Sequence, residues 1–342
     1  MSADDSLGTV GEAATLRRII ERLPAAETAL LGPGDDSAVL RAPDGRYVVS
    51  TDLLVHGPDF RLAWSTPYDL GWKAAASNLA DIAAMGARPT ALVVALAAPL
   101  DTPVTDLERI ADGLRDACAA LAPGTGVVGG DLSASATLTI AVTVFGGLSG
   151  RNPVLRSGAR PGDVVAVTGG LGRAAAGLRL MFRDGVDDNG IPDRARFSEL
   201  VKRRGALVDA QLRPSPSIAS GEQAAVAGAT AMMDVSDGLT LDASRLAAAS
   251  GARIDFRLEL LVGDARAIAA SAPELSDEAV DLVLTGGEDH GMLATFPSEA
   301  VPDGFRVIGA VMEGDGVTVD GRDPAQSRGG WDPFGDWNGS VG

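Results

Sequence analysis

The chain reads as a two-domain protein of mixed helix and strand, and three features predict that class. Its 342 residues exceed one domain of ordinary size and suit two. Runs rich in Val, Ile and Leu alternate with helical stretches that open on Thr-Pro and close on Gly. A Pro/Gly-rich basic run, Arg151 to Gly162, separates the halves and predicts domains over 1–149 and 150–342.

The elements follow in order. Glu12 to Leu23 has the pattern of a short amphipathic helix. Gly32 to Leu54 then reads as a β-hairpin, with strands at Ser37–Arg41 and Tyr47–Ser50 about the turn Ala42-Pro43-Asp44-Gly45. Folded there, the chain would set Asp35 or Asp36 against Thr51 and Asp52, about 5 Å away. Like charges facing across a ladder are destabilising, so the pattern means either a solvated acidic rim or a hard cation such as Mg²⁺. Thr66-Pro67 opens a helix running to about Met85 and ending at Gly86. On it Asn78 and Asp81 share a face in the last turns, where the helix dipole disfavours a carboxylate. Thr90–Ala97 is a buried strand, and Thr102-Pro103 opens a helix to about Leu121. Val127-Val128 is a short strand ending in Gly129-Gly130-Asp131, and Leu138–Leu148 alternates as a long strand that closes the first half.

The second half restarts at Asp163 with a strand and a glycine turn. Gly170-Leu171-Gly172-Arg173-Ala174-Ala175 imitates a dinucleotide fingerprint. The acid that should end a second strand about 20 residues on is missing, since 181–197 is a polar loop in sequence, and this argues against a nicotinamide dehydrogenase. Phe197–Leu212 is helical and stops at Arg213-Pro214-Ser215-Pro216. A strand over Thr230–Met233 leads into Asp234-Val235-Ser236-Asp237-Gly238, where Ser236 is placed to cap the next helix. Ile254–Phe256 is a strand, and Gly286-Gly287-Glu288-Asp289-His290 is a third glycine-and-acid turn before the strand Met292–Phe296. The last strands are Phe305–Val311 and Gly316–Val319, and the tail aromatics Trp331, Phe334 and Trp337 are expected to pack onto a surface.

Composition narrows the chemistry. A net charge of −17 without a Lys/Arg-rich run argues against nucleic acid or an anionic membrane as the main partner. An anionic ligand remains open, because bound Mg²⁺ would invert the local field. A lone cysteine, Cys118, rules out an intrachain disulfide or a cysteine zinc site and reads as a core helix residue. The acidic, polar N-terminus is unlike a signal peptide, and no apolar run reaches the ~18 residues of a membrane span, which predicts a soluble cytoplasmic protein.

Asp35, Asp36, Asp52, Asp81, Asp131, Asp234, Asp237 and Glu288 each stand at a strand end, turn or helix end, with no Lys or Arg nearby in sequence to pair with. Two histidines, His56 and His290, offer little to a transition metal, whereas oxygen ligands suit Mg²⁺ with water and phosphate. The pattern points to phosphoryl transfer from a nucleotide by charge neutralisation. No GxxxxGK[ST] loop and no HRD or DFG set occurs. Plausible general bases are few, and an acceptor phosphate, already ionised at pH 7, needs none.

Seven segments also carry a resemblance: GDDSAVL from Gly34, STDLLV from Ser50, NLADIAAMGARP from Asn78, GGD from Gly129, VLRSGARPGD from Val154, DVSDGL from Asp234 and GGED from Gly286. Together, in this order, they resemble the thiamine-monophosphate kinases of the PurM-like (aminoimidazole-ribonucleotide-synthetase-like) superfamily. The resemblance implies an α+β, two-domain fold: an N-terminal sheet domain that pairs in a homodimer, and a C-terminal α/β domain. It implies ATP-dependent phosphorylation of thiamine monophosphate by direct in-line transfer, with several Mg²⁺ ions. It places metal ligands at Asp36, Ser50, Thr51, Asp52, Asp81, Asp131, Asp234 and Asp237, and nucleotide contacts at Gly130, Asp131, Arg156 and Ser236. Asp52, Asp131 and Asp237 are the implied catalytic set, and Glu288 and Trp331 the thiamine-side contacts.

Two substrate-side positions depart from the family. Asp59 stands where a substrate-contacting His is usual, with His56 three residues earlier as either a substitute or a surface residue, and His290 replaces a Tyr. Other readings are a relative with a different acceptor or a nucleotide-binding relative without catalysis. The reactive Cys and Lys of selenophosphate synthetases, the terminal Cys of the hydrogenase-maturation carbamoyl dehydratases and the DGVGTK of aminoimidazole ribonucleotide synthetases are all missing.

Overall fold

A computed structural model describes residues 5–33 and 37–324. The chain divides into two compact units. The described part of one runs to Ile82 and resumes over Arg88–Gly150, and that of the other holds Ala83–Ala87 and residues 151–324.

The first unit contains α1 (Leu7–Val10), α2 (Glu12–Ile20), β1 (Ala29–Leu31), β2 (Val39–Leu40), β3 (Val48–Val55), α3 (Pro67–Ala84) up to Ile82, β4 (Arg88–Ala98), α4 (Val104–Leu121), β5 (Gly126–Ala134) and β6 (Thr139–Gly147). Among the described residues its main sheet has the order β3-β6-β4-β5, with β4 and β5 parallel and the other pairs antiparallel. Ile140, Val142 and Val144 of β6 are buried on one face, while Thr139, Ala141, Thr143 and Phe145 of the other are only half-buried. That period of two marks a sheet covered by helices on one side. Across the sheet, Val49 and Leu53 of β3 and Ala95 of β4 lie on the uncovered face and are exposed.

The helices are set by local chemistry. Thr66 Oγ1 accepts from the Asp69 N–H at 3.2 Å and the Asp69 carboxylate accepts from the Thr66 N–H at 3.0 Å, a reciprocal cap that starts α3 where Thr-Pro predicts it. α3 and α4 touch through backbone: a Cβ on Gly71 would lie 2.0 Å from the Ile110 carbonyl, and one on Gly113 2.1 Å from that of Tyr68. Cys118 is buried on α4, where burial pushes its thiol up to about 12, so it is the inert core residue expected.

Two expectations are corrected. The Gly32–Leu54 hairpin does not form. β2 pairs with β1, and β3 spends its whole length on β6, from Val48 opposite Gly146 to Val55 opposite Thr139. An eight-residue ladder with matched faces outcompetes the two residues of β2. The turn itself is present: the Gly45 N–H reaches the Ala42 carbonyl, and Asp44 accepts from the Gly150 N–H at 3.1 Å. Nor does the strand at Val127 end in the double glycine, since β5 runs on to Ala134. Gly130 serves close approach instead, a Cβ there falling 2.0 Å from the Val94 carbonyl of β4.

The second unit contains β7 (Val164–Thr168), α5 (Arg173–Asp184), α6 (Arg194–Leu212), α7 (Ala219–Ala227), β8 (Ala231–Asp234), α8 (Leu239–Ser250), β9 (Arg253–Phe256), α9 (Leu258–Ser271), α10 (Ala279–Thr285), β10 (Met292–Phe296), β11 (Phe305–Met312) and β12 (Gly316–Val319). Among the described residues its sheet has the order β12-β9-β11-β7-β10-β8, antiparallel except for β12 beside β9. β10 runs opposite to both neighbours, with Met292 facing Asp234 and Leu293 facing Val167. That register gathers three turns at one end of the sheet: the one after β7, the one after β8 and the one before β10.

Candidate active site

In the second unit the turn after β8 and the turn before β10 are stitched together by backbone. The Glu288 N–H donates to the Ser236 carbonyl at 2.8 Å, and the His290 N–H to that of Val235 at 2.9 Å. The contact leaves no room for side chains, since a Cβ on Gly287 would sit 2.3 Å from the Ser236 carbonyl. Gly238 adds a φ of +122° and would press a Cβ to 2.3 Å from the Thr285 carbonyl. Glu288 and His290 hold φ of +66° and +53°, a region non-glycine residues rarely adopt, and the stitched backbone keeps them there.

The acids of these turns have distinct partners. Asp242, fully buried on α8, accepts from the N–H groups of Ser236, Asp237 and Gly238 at 3.0, 2.9 and 3.1 Å. It thereby holds the turn that leads into α8, whose N-cap is Gly238 and not the Ser236 expected. Burial pushes its carboxyl up to about 6 against the pull of the Asp237 N–H and the Arg245 charge, with the Asp237 and Asp234 charges adding to the rise. Arg245 Nη1 bridges Asp237 at 2.5 Å and Asp242 at 2.7 Å. The expectation that these acids lack a cation is therefore corrected: Arg245 lies two helical turns along α8, where a side chain reaches back over the preceding turns. Asp234, also buried, meets His290 Nδ1 at 3.1 Å, so His290 contacts an implied metal ligand. Glu288 accepts a short hydrogen bond from Gln211 Nε2 of α6.

Asp289 caps α5, accepting from the N–H groups of Gly172 at 2.5 Å and Ala174 at 2.9 Å. The glycine run that imitates a dinucleotide fingerprint thus receives a carboxylate from its own chain. Burial pushes the Asp289 carboxyl up to about 6 from 3.8, with the two N–H groups pulling the other way. An acid raised in the folded state is a cost above its folded pKa, relieved as the pH falls from about 6 toward 3.8. The wild-type stability should therefore gain up to about 3 kcal/mol from this group on acidification, and the Asp289→Asn variant should gain nothing from it. In thermal melts, the midpoint of wild type minus that of Asp289→Asn should become more positive between pH 7.5 and pH 5. A constant difference would show that ionised Asp289 is no burden to the fold.

In the first unit Ser50 Oγ donates to Asp81 Oδ2 at 2.8 Å, joining β3 to α3. Asp52, two residues on, shares the Ser50 face at the sheet edge and is exposed. One turn before Asp81, the Asn78 amide donates to the Ala74 carbonyl and leaves Oδ1 buried without a partner among the described residues. Thr51 points to the other face, where its hydroxyl reaches the Val142 carbonyl at 3.0 Å. Asp131 is on that face too, exposed and bonded by Ser133 Oγ at 3.0 Å. Asp131 is level with Leu53 across three strand spacings, so Asp52 and Asp131 stand about 14 Å apart on opposite faces. Asp59 accepts from the Val55 N–H at 2.7 Å and closes a turn in which His56 stacks on Phe60, its Nε2 buried without a described partner. Arg156 is exposed, its carbonyl held by Ser250 Oγ. Asp36 and Trp331 lie outside the described residues.

Among the described residues no group of three or more His, Cys, Asp or Glu side chains could by itself hold a metal ion. The donors present are nevertheless hard oxygens: Ser50 with Asp81, the orphaned Asn78 Oδ1, and Asp234 with Asp237. Mg²⁺ keeps several waters and takes one or two carboxylates plus phosphate, so such pairs fit it without a protein cage.

Family models agree across both units. The AIR synthase related protein N-terminal domain matches residues 34–148, and the corresponding C-terminal domain matches 160–321. The thiamine-monophosphate kinase of Mycobacterium tuberculosis H37Rv is 46% identical over 340 residues, covering 98% of this chain and 96% of the relative. The chain belongs to the thiamine-monophosphate kinase family. The Corynebacterium glutamicum kinase is 41% identical over 96% of this chain and 95% of its own. Among solved structures, AaThiL complexed with AMPPCP and TMP is 31% identical with a TM-score of 0.72, covering 94% of this chain and 96% of that one. The kinase from Stenotrophomonas maltophilia K279a is 31% identical with a TM-score of 0.73, covering 91% and 96%. The two-domain PurM-like fold is therefore the fold of this family member.

Gln211 and Arg245 escaped the sequence reading, as did α9 and α10. A period of 3.6 through the buried Leu261, Ala265 and Ile268 was the available signal for α9. Nothing local to Gln211 marks its partner, which lies 77 residues away.

Proposed function

We infer that this chain transfers the γ-phosphoryl group of ATP to the phosphate of thiamine monophosphate, giving thiamine diphosphate and ADP. The observation that carries the reading is full-length membership of a family in which one solved structure holds AMPPCP and TMP together. The chain's own chemistry agrees. Its acids gather at a sheet end and at the Ser50–Asp81 contact, and the acceptor is an anion that needs charge neutralised rather than a base.

We propose Mg²⁺ held by Asp36, Ser50, Thr51, Asp52, Asp81, Asp131, Asp234 and Asp237. Thr51 would contribute through its backbone, since its hydroxyl faces away from Ser50. Bound there, Mg²⁺ supplies neutralisation of the phosphate oxygens. Gly130, Asp131, Arg156 and Ser236 are proposed nucleotide contacts, Arg156 through its exposed guanidinium. Glu288, Asp59 and Trp331 are assigned to the thiamine side. Asp242 holds the 236–238 backbone in one conformation, His290 fixes one oxygen of Asp234, and Asp52, Asp131 and Asp237 carry the catalytic charge. Domains over 1–149 and 150–342 and a cytoplasmic homodimer complete the proposal. The exposed Val49, Leu53 and Ala95 on the uncovered sheet face support pairing with a second copy. Among the described residues no helix is long and apolar enough to cross a membrane.

The test is ADP release from Mg-ATP with and without thiamine monophosphate, the thiamine products being separated by chromatography. Thiamine diphosphate should appear in step with ADP. ATP binding without acceptor-dependent ADP would replace the kinase with a nucleotide-binding relative.

A further inference from the structure

Asn78 is 1% exposed on α3, and its amide can point only one way. Nδ2 donates to the Ala74 carbonyl at 2.8 Å, and exchanging the two ends of the amide would set oxygen against oxygen. Oδ1 is therefore a buried carbonyl with no hydrogen-bond partner among the described residues. Buried amide oxygens are paired as a rule, and one left unpaired costs stability that a Leu of similar volume would not. The bond to Ala74 adds little in return, because that carbonyl already accepts the helical bond four residues on.

The topology brings this oxygen beside the acids of the first unit. β3 and β4 are both antiparallel to β6 and hence parallel to each other. α3 joins the end of β3 to the start of β4, so it runs back against the direction of β3. Ser50 of β3 meets Asp81 of α3. Three residues back along α3, about 4.5 Å, stands Asn78, and two residues forward along β3, about 6.6 Å, stands Asp52 on the Ser50 face. Asn78 and Asp81 share a helix face with Cβ atoms about 5–6 Å apart. Helical side chains lean toward the start of their helix, which carries the Asp81 carboxylate over the Asn78 turn. An uncharged hard oxygen is thus set among the hydroxyl and carboxylate oxygens of Ser50, Asp52 and Asp81.

We propose that Asn78 ligates, through Oδ1, the divalent cation assigned to Ser50, Asp52 and Asp81. The inference rests on that assignment of the metal. Carboxylates and phosphate around one Mg²⁺ accumulate negative charge, and an amide oxygen adds a ligand without adding to it. Binding also satisfies the buried carbonyl, so the stability that the metal-free chain forgoes returns with the ion.

The test compares wild type, Asn78→Leu, Asn78→Asp and Asp81→Asn with Mn²⁺ as the probe. Binding is read from the signal of free Mn²⁺ in electron paramagnetic resonance, and stability from thermal melts with and without Mn²⁺. The site is defined by the Mn²⁺ that Asp81→Asn no longer binds. Asn78→Leu should weaken Mn²⁺ there about tenfold. Its metal-free midpoint should equal or exceed that of wild type, because the orphaned oxygen is gone, and Mn²⁺ should raise that midpoint less than it raises the wild type's. Asn78→Asp keeps an oxygen and adds a charge, so it should bind Mn²⁺ at least as tightly as wild type while its metal-free midpoint falls. This second variant decides the matter if Asn78→Leu does not fold. If Asp81→Asn loses Mn²⁺ while Asn78→Leu keeps wild-type affinity, or if Asn78→Asp binds more weakly than wild type, Asn78 is removed from the ligand set and Asp81 keeps its assignment. If Asp81→Asn loses no Mn²⁺, the assignment of the metal fails and the role of Asn78 falls with it.

Discussion

Asp131→Asn and Asp52→Asn are each expected to lower kcat for thiamine diphosphate formation by about a thousandfold, with far-UV circular dichroism and melting midpoint close to wild type. Both side chains are exposed on strands, so an amide of the same size disturbs no packing and removes only the charge. A hard cation beside phosphate depends on that charge more than on the oxygen atom that carries it. The geometry adds a sharper expectation. The two carboxylates stand on opposite faces of the sheet, three strands apart, and cannot ligate one ion within a chain. Their effects should therefore multiply in the double variant until the assay floor is reached. Activity within tenfold of wild type in either single variant would remove that residue from the metal set.

Asp242→Ala should have the largest effect on stability. It leaves the N–H groups of Ser236, Asp237 and Gly238 without their acceptor and Arg245 with one carboxylate in place of two. Three buried or part-buried donors left without their acceptor at once cost about 3 kcal/mol, which for a unit of this size lowers the melting midpoint by roughly 6–12 °C. Activity should fall in step at 25 °C, because the same backbone carries Ser236 and Asp237. Differential scanning calorimetry reads the first effect and the coupled ADP assay the second. A midpoint unchanged within 2 °C would mean that the three N–H groups find other partners and that Asp242 does not organise the turn.

The elements that local chemistry determines were readable from residues alone. Thr66 and Pro67 announce α3, the alternation from Leu138 announces β6, and the glycine-and-acid turns announce the loops at the end of the second sheet. What failed was pairing. The Ala42–Gly45 turn is real, yet the strands on either side of it are not partners, because the choice between β1 and β6 depends on ladder length and face matching far along the chain. The same limit hid the counter-ions. Asp237 has no partner near it in sequence because its cation, Arg245, belongs to the next helix, and Ser236 is not the α8 cap because the N-cap is Gly238, with the turn before it held by Asp242 from inside the helix. At the two positions that depart from the family pattern each side chain has a local partner: Asp59 bonds its own turn, and His290 bonds Asp234.

Phosphate is expected to pass directly from ATP to the phosphate of thiamine monophosphate. A single-turnover reaction with γ-³²P-ATP, enzyme in excess and rapid acid quench follows that transfer. Label should pass from ATP to thiamine diphosphate in one phase, with no labelled protein at any time and no release of labelled inorganic phosphate. Labelled protein that forms and decays at the rate of turnover, or label that emerges as inorganic phosphate while thiamine monophosphate stays unchanged, would contradict it.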